Sequence, residues 1–406
     1  MIDNSLKSVL DEKKISDALR VNIAQKLGDR VRVYAIGDHC DIRKEHSRKL
    51  ENIGKVRDLK GNLTNGYNTL GTVIVDENKK DVTLADITVF SNKEKRFVSQ
   101  KEIKEYEAGE IEDEARVLAI KELVESNKHI NMTLSVREQT QRVSQSLKAK
   151  NPNLSICHVH DRFCDSVGYF EHIDQELNDE FVVRVKLSRN SNEKRIDDKG
   201  KSHSVKLIDA NFANKETYII DTLRLKGKVY QQVKVLIEWD SVTLNEKEYS
   251  VVRITLTKRD GEAIHTKPML LITNIKVDTY IGAKEIYHTY LLRSKIEAVF
   301  KFLKDVLGWE EFQVRDWDSI KNIIALCFFI GNYFYEIEST LIDNPTIEII
   351  CQMGSGKGTV SRHFFLEGLK VMLITQNTLR LKKELEISDE TWSEMEAFAG
   401  IGGEDF

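Results

Sequence analysis

The chain has 406 residues, and its content of 41% hydrophobic and 31% charged residues is ordinary for a soluble globular protein of two or three domains. Its formal net charge of −4 does not favour a nucleic-acid-binding protein, but the runs 101–125 and 384–405 are acidic and offset basic patches at 41–62 and 181–206, which permit DNA binding. Five cysteines without a Cys-x-x-Cys pair argue against a disulfide framework or a zinc ribbon and favour reduced thiols.

The first half of the chain predicts alternating strands and helices. Two short helices are expected up to Leu27, with Gly28 as the C-cap, and the first strand then leads into Asp38. The expected elements after the N-terminal helices have the order βββαβαβ. They are strands at 31–36, 67–75 and 82–90, a helix at 135–148, a strand at 154–160 ending at Asp161, a helix at 166–177 and a strand at 181–187.

The second half begins with β-branched runs and ends in helical patterns. Strands are expected at 218–225, 229–239 and 249–258, with Asp260-Gly261 as a hairpin-type turn, so this part reads as an all-β insertion. The five expected segments are a short helical N-terminal segment at 1–30, an α/β core at 31–190, a β-rich insertion at 191–280, a second part of the core at 281–340 and a C-terminal helical region at 341–406.

No membrane segment is expected. The apolar stretch 323–331 is shorter than the roughly 18 residues that span a bilayer, and 320–334 is most simply a buried core helix. Polar residues follow Met1 where a secretory signal would be apolar. We therefore expect a cytoplasmic protein.

A polar pattern, Tyr-x2-Arg-x3-Glu-x6-Lys, occupies the helical segment after the insertion. On one continuous helix its four residues share a narrow stripe, beside an apolar side that would be buried. The polar residues are Tyr290, Arg293, Glu297 and Lys304, and the apolar ones are Leu292, Ile296, Val299 and Leu303. A solvated amphipathic face is the simpler reading of Glu297 and Lys304 alone.

Three carboxylates stand out by their placement: Asp38 just past the first strand, Asp161 at the end of the fourth, and Glu297 on a helix beyond the insertion. If the first and fourth strands are adjacent, the two aspartates meet and a helix across the sheet brings Glu297 alongside. Such a cluster suits Mg²⁺ or Mn²⁺, and two ions could activate an attacking oxygen and stabilise a leaving one in phosphoryl transfer. Asp41 remains an alternative first ligand.

Three motifs in this order give the chain a specific resemblance. They are Ile36 to Lys44 with Gly66-Tyr67, His160 to Phe163 with Phe181 to Arg184, and Tyr290 to Lys304. With them the chain resembles the DDE transposases of bacterial insertion sequence family four over nearly its whole length. The resemblance implies an RNase H-like fold interrupted by a β-rich insertion, with Asp38, Asp161 and Glu297 as the metal-binding triad.

The resemblance also implies the partners and the chemistry. Tyr290, Arg293 and Lys304 would contact DNA phosphates, while Arg162 either clamps a phosphate or pairs with a neighbouring acid. We expect a transposase that uses two Mg²⁺ or Mn²⁺ ions and no nucleotide to cut at terminal inverted repeats and join the 3′-hydroxyl to target DNA. It would act as a homodimer, on the nucleoid when bound to DNA. An RNase H-like nuclease or resolvase without strand transfer, or an inactive DNA-binding relic, are the alternatives.

Two other motifs have simple structural interpretations. The cluster His158, His160, Cys157 and Cys164 around Asp161 could suggest zinc, but core packing is the better interpretation. The glycine-rich stretch 353–359 lacks the first Gly and the Ser/Thr after Lys357 that a P-loop needs, so it is expected to link a strand to a helix.

Two departures from the family pattern concern DNA. Only 37 residues precede Asp38, so a separate end-recognition domain is expected to be reduced, relocated or lost. Ser294 and Pro268-Met269 stand where relatives commonly have tryptophans that stack on a flipped base, which leaves a hairpin intermediate open; Trp239 is a candidate substitute.

Overall fold

A ten-stranded mixed β-sheet with helices packed against it dominates the first of two units in the computed structural model. The structure describes residues 11–58, 60–196, 201–225, 227–340, 343–355 and 360–398. The first unit extends to Asn332 and the second begins at Tyr333.

The strands follow the chain as β1 Arg32–Arg43, β2 Gly54–Arg57, β3 Leu63–Asp76, β4 Val82–Phe90, β5 Ser155–His160, β6 Glu180–Arg184, β7 Asn190–Ile196, β8 Ser202–Lys206, β9 Asn214–Leu225, β10 Lys228–Leu244, β11 Lys247–Thr257 and β12 Met269–Thr273. In the large sheet their order is β2-β3-β1-β5-β6-β12-β11-β10-β9, and β4 also pairs with β3. Strands β7 and β8 form a separate ladder.

The α-helices are α1 Glu12–Leu27, α2 Gln100–Glu107, α3 Glu114–Glu125, α4 Met132–Lys148, α5 Val167–Glu171, α6 Tyr280–Leu291, α7 Ser294–Asp305, α8 Trp317–Thr340, α9 Pro345–Ser355, α10 Arg362–Glu384 and α11 Asp389–Phe398. A π-helical turn, His172–Glu176, continues α5. Gly28 caps α1, as predicted, whereas the helix expected before α1 lies outside the described residues.

The parallel pair β1–β5 forms the centre of the sheet. Its register runs from Arg32 opposite Ser155 to Ile36 opposite Val159, and β1 then continues to Arg43 as the antiparallel partner of β3. Asp38 therefore lies within β1 rather than just past a strand, and the predicted strand end near residue 36 is wrong. The backbone stays extended because β3 supplies partners along this whole length.

The meander β1–β3–β4 and the later α/β elements confirm the predicted order, and β4 has the predicted bounds. Helices α2 and α3 were not predicted. A capping box at Ser99 begins α2, and the side chain of Asp113 accepts two backbone N–H groups at the start of α3. Local capping thus marks the start of both helices in this acidic stretch.

The predicted insertion strands are present as β9, β10 and β11, and the turn at Asp260-Gly261 follows β11. They do not form a sheet of their own, because β12 pairs with both β11 and β6 and so joins them to the core sheet. The structure therefore merges the insertion with the core through one unpredicted strand, β12. The predicted segment boundaries remain predictions.

Helix α8 is the one helix among the described residues that is long and apolar enough to cross a membrane, although core helices pass the same test of length and composition. Within the first unit its side chains Ile320, Ile324 and Phe328 are fully buried. This burial fits the predicted core helix.

In the second unit, α9 and α10 pack closely against each other. A Cβ atom at Gly368 would lie 1.8 Å from the carbonyl oxygen of Ile350, so only glycine allows this approach. Because α9 extends to Ser355, a helix precedes the glycine-rich stretch, and the predicted strand-to-helix link is wrong. Residues 356–359, including Lys357, lie outside the described residues.

A cavity of about 410 Å³ lies between α1, β4 and α4. The carboxylate of Glu12 at its edge accepts the N–H of Val89 at 3.0 Å, and burial raises the pKa of Glu12 from 4.5 to about 7. Protonation of the folded state is therefore favoured, and this stabilising contribution is complete below pH 4.5 and lost as the pH rises through 7.

We expect Glu12→Gln to stabilise the fold relative to wild type at pH 8, by about 2 kcal/mol after allowance for partial exposure, and to change it little at pH 4.5. Thermal unfolding of both proteins across this pH range measures the difference. A pH-independent difference between the two melting temperatures would contradict the assignment.

Candidate active site

The guanidinium of Arg293 bridges two of the three predicted carboxylates. Its two terminal nitrogens donate separately to Asp38 Oδ2 and to Glu297 Oε1. Asp38 belongs to the sheet and Glu297 to a helix, so Arg293 ties these two elements together. The sequence therefore correctly predicted that a helix would bring Glu297 alongside Asp38.

Asp161 follows β5 directly and has a different set of partners. Its Oδ1 accepts the hydroxyl of Tyr290 at 3.2 Å, while Arg162 Nε and Arg184 Nη1 each lie 3.9 Å away. The side chain of Arg162 is half exposed. Both readings of Arg162, as a partner of Asp161 or as a phosphate contact, thus remain compatible with its position.

The signature segment is two helices and not one. Helix α6 ends at Leu291 and α7 begins at Ser294, so Tyr290 and Glu297 lie on different helices and Arg293 lies at the junction. Leu292 and Arg293 keep right-handed helical dihedrals, and the N–H of Arg293 donates to the carbonyl oxygen of Tyr290, so a tighter helical turn joins the two helices. The apolar side was predicted correctly, since Ile296, Val299 and Leu303 are fully buried.

Burial controls the proton positions in this site. It raises the pKa of Asp38, the nearby Asp161 raises it further, and Arg293 opposes both effects. Tyr290 is only 4% exposed, and burial together with the charge of Asp161 raises its pKa to about 12. The Tyr290 hydroxyl therefore keeps its proton at neutral pH and can donate to Asp161.

His160 determines how closely β1 and β5 approach below the two aspartates. Its Nε2 pairs with the hydroxyl of Tyr169 at 2.8 Å, and burial together with the charge of His158 lowers its pKa to about 3. A Cβ atom at Gly37 would lie 2.2 Å from His160 Cε1. Gly37 is thus needed next to Asp38 because the imidazole fills the space of a side chain.

We expect Gly37→Ala to destabilise the fold by about 1–3 kcal/mol, because the added methyl group overpacks His160. Gly168→Ala is the matched control, since nothing lies within 4 Å of its Cβ position in α5 and alanine there should stabilise by about 0.5–1 kcal/mol. Chemical denaturation of both variants measures the two effects. Equal stability of the two variants would contradict the role of Gly37.

Asp41, the alternative first ligand, is engaged elsewhere. Its Oδ1 pairs with His39 Nε2 at 3.1 Å, and its Oδ2 accepts the N–H of Arg57 at 3.1 Å. Burial alone would raise the pKa of Asp41, but these hydrogen bonds and the charge of His39 lower it. The geometry therefore favours Asp38, which shares Arg293 with Glu297.

Lys304 lies beside the C-terminal end of β1. Its ammonium donates to the carbonyl oxygen of Asp41 at 2.5 Å and pairs with Glu310 Oε1 at 3.0 Å. Lys304 is therefore bound by protein groups on two sides. Its predicted contact with DNA phosphate stays a prediction.

The donor chemistry of the three carboxylates fits hard divalent cations, because all are oxygen ligands. Among the described residues, however, no three His, Cys, Asp or Glu side chains converge as a ready metal site. The reason is visible at Arg293, whose guanidinium bridges Asp38 and Glu297. A shared cation at these two residues therefore requires Arg293 to move.

The neighbouring His and Cys residues belong to the core. His158 Nε2 pairs with Asp179 Oδ2 at 3.0 Å, and burial raises the pKa of Cys157 to about 12 and that of Cys164 well above its ordinary value. Both thiols are buried, Cys157 at 0% and Cys164 at 4% exposure. Core packing, as predicted, accounts for them.

Residues 159–333 match the family model of the transposase DDE domain. The chain therefore contains a segment similar to the transposase DDE domain. The matched segment contains Asp161, Tyr290, Arg293 and Glu297, whereas Asp38 on β1 precedes it. No curated protein matches the chain. The domain match therefore covers two of the three carboxylates, and the geometry of Arg293 connects the third to them.

Three residues near the candidate site could not be assigned from the sequence. Arg184 ends β6 close to Asp161, and Arg43 and Glu310 surround Lys304. Arg184 ends a motif quoted for the resemblance, but its approach to Asp161 requires the β5–β6 pairing. The suggestion that Trp239 stacks on DNA is wrong for this conformation, because it is 7% exposed and its ring lies near Tyr280.

Proposed function

We propose that this transposase cuts DNA at the ends of an insertion sequence and joins the 3′-hydroxyl to target DNA, with Asp38, Asp161 and Glu297 as its catalytic carboxylates. The observation that carries the proposal is the Asp38–Arg293–Glu297 bridge beside Asp161, inside a chain with a transposase DDE domain. The strand order β4-β3-β1-β5-β6 supports an RNase H-like core.

The carboxylates would hold two Mg²⁺ or Mn²⁺ ions. When bound, such ions supply Lewis-acid stabilisation of the attacking and leaving oxygens. Tyr290 would hold Asp161 through its hydroxyl, and Arg293 would exchange its carboxylate partners for a phosphate. Arg162 and Lys304 would contact the backbone of the terminal-repeat DNA. Phosphodiester exchange conserves the bond type, so no nucleotide is required.

The location and the oligomeric state follow from the same chemistry. A cytoplasmic homodimer, with each subunit holding one end, is the simplest way to join two ends to one target. A nuclease or resolvase with the same site would cut without joining, and a relic would bind without cutting. Strand-transfer products on a gel distinguish a transposase from a nuclease or resolvase. Metal-dependent nicking distinguishes either enzyme from an inactive relic.

Replacing Asp38, Asp161 or Glu297 by Ala should lower Mg²⁺-dependent cleavage of a terminal-repeat duplex on the order of 10³-fold or more, because no pair of them can replace the third. DNA binding should be largely retained. Cleavage rates and circular dichroism of each variant measure the loss at constant fold. Asp41→Ala is the control, and loss of cleavage there with normal activity in Asp38→Ala would reassign the first ligand.

Removing Arg293 should expose the carboxylates to a cation in the absence of DNA. We expect Arg293→Ala to bind Mn²⁺ several-fold more tightly than wild type, because a guanidinium no longer competes for Asp38 and Glu297. Isothermal titration calorimetry with Mn²⁺ alone measures this affinity. Lys301→Ala removes an exposed charge from the same helix and is the matched control. Equal gains in both variants would indicate only a change in net charge.

A further inference from the structure

Glu310 contacts two cationic side chains, Lys304 and Arg43, at the C-terminal end of β1. Its Oε1 accepts the backbone N–H of Arg43 at 2.8 Å and lies 3.0 Å from Lys304 Nζ, and its Oε2 lies 3.3 Å from Arg43 Nη2. One carboxylate therefore fixes a backbone position, a guanidinium and an ammonium. All three side chains are only partly exposed.

The segment before Glu310 is anchored in the core. Trp309 is 1% exposed, its indole N–H donates to the carbonyl oxygen of Ile324 at 3.0 Å, and its ring stacks with Phe300 of α7 at 5.9 Å. Its backbone N–H donates to Leu303 at 3.0 Å. The position of Glu310 is thus determined by a buried neighbour, as is usual for a side chain that orients others.

The carboxylate is ionised in this environment. Burial alone would raise the pKa of Glu310, but the N–H of Arg43 and the charge of Lys304 lower it. Without this negative charge the two cations would repel each other and regain the rotational freedom of their long side chains. Lys304 would keep one hydrogen bond, to the carbonyl oxygen of Asp41.

We propose that Glu310 is a positioning residue, which holds Lys304 and Arg43 as a cation pair that receives a DNA phosphate at the C-terminal end of β1, the strand that carries Asp38. The inference rests on the proposed function. A carboxylate near a phosphate lowers the affinity for DNA, so its presence here is explained by alignment and not by binding strength. The role of Glu310 should therefore appear in the cleavage rate of bound DNA.

The chain offers a matched control at the next residue. Glu311 is exposed, so Glu311→Gln removes the same charge one residue further along the chain without touching Lys304 or Arg43. Glu310→Gln keeps one oxygen that can accept a hydrogen bond, whereas Glu310→Ala keeps none. Glu311→Gln tests the effect of charge alone, Glu310→Ala tests the loss of alignment, and Glu310→Gln is the conservative replacement.

The experiment measures two quantities: the affinity for a terminal-repeat duplex with Ca²⁺, and the single-turnover cleavage rate at saturating DNA with Mg²⁺. We expect both Gln variants to bind as tightly as wild type or slightly more tightly. Glu311→Gln should cut at the wild-type rate. Glu310→Ala should cut about ten- to a hundredfold more slowly, as expected for a misplaced contact, and Glu310→Gln should lie between them.

Normal cleavage by both Glu310 variants would overturn the proposal while leaving the proposed function intact. Loss of DNA affinity together with a lowered melting temperature in Glu310→Gln would also overturn it, because the residue would then act on the fold. A wild-type protein that binds the duplex but cuts nothing under these conditions would contradict the proposed function itself, and the positioning role with it.

Discussion

The parallel register of β1 and β5 is the constraint on which the rest of the site depends. With Ile36 opposite Val159, two residues further along lead to Asp38 within β1 and to Asp161 directly after the end of β5. Burial then makes two adjacent carboxylates unfavourable unless cations or hydrogen-bond donors accompany them. The chain supplies Arg293 to Asp38 and the Tyr290 hydroxyl to Asp161.

The junction between α6 and α7 allows these two partners to reach different strands. Leu292 and Arg293 keep helical dihedrals in a tightened turn, from which Tyr290 reaches Asp161 and Arg293 reaches Asp38. The buried face of α7 holds that approach through Ile296 and Leu303. Packing of apolar residues thus determines where the charged groups of the site lie.

Much of the fold and part of the site follow from the sequence. Strand β4 was predicted to the residue because its alternation and flanking turn are local signals, and Asp38, Asp161 and Glu297 could be selected from their motifs. The helix break could not be predicted, since the angular pattern of 290–304 continues across it. Strand β12 was missed because it is short and its pairing with β6 is long-range.

Glu310 and Arg184 could not be assigned from the sequence for the same physical reason. Glu310 is one acid among 65 in sequence, and only the return of the chain after α7, anchored by Trp309, brings it to Arg43 and Lys304. Arg184 likewise approaches Asp161 only through the pairing of β5 with β6. Sequence patterns identify residues that act within one helix or strand. They miss contacts between residues that are distant in sequence and meet only in the folded chain.

The extension of the core sheet to β9 has a consequence for self-association. Among the described strands β9 pairs only with β10, so its twelve residues leave a long row of backbone groups at the outer edge. Such an edge is a template for adding strands from other molecules. Charged side chains at Lys215, Glu216, Asp221 and Arg224 are distributed along it. These charges act as gatekeepers, so replacing them with apolar residues would turn the edge into a site of intermolecular β-sheet growth.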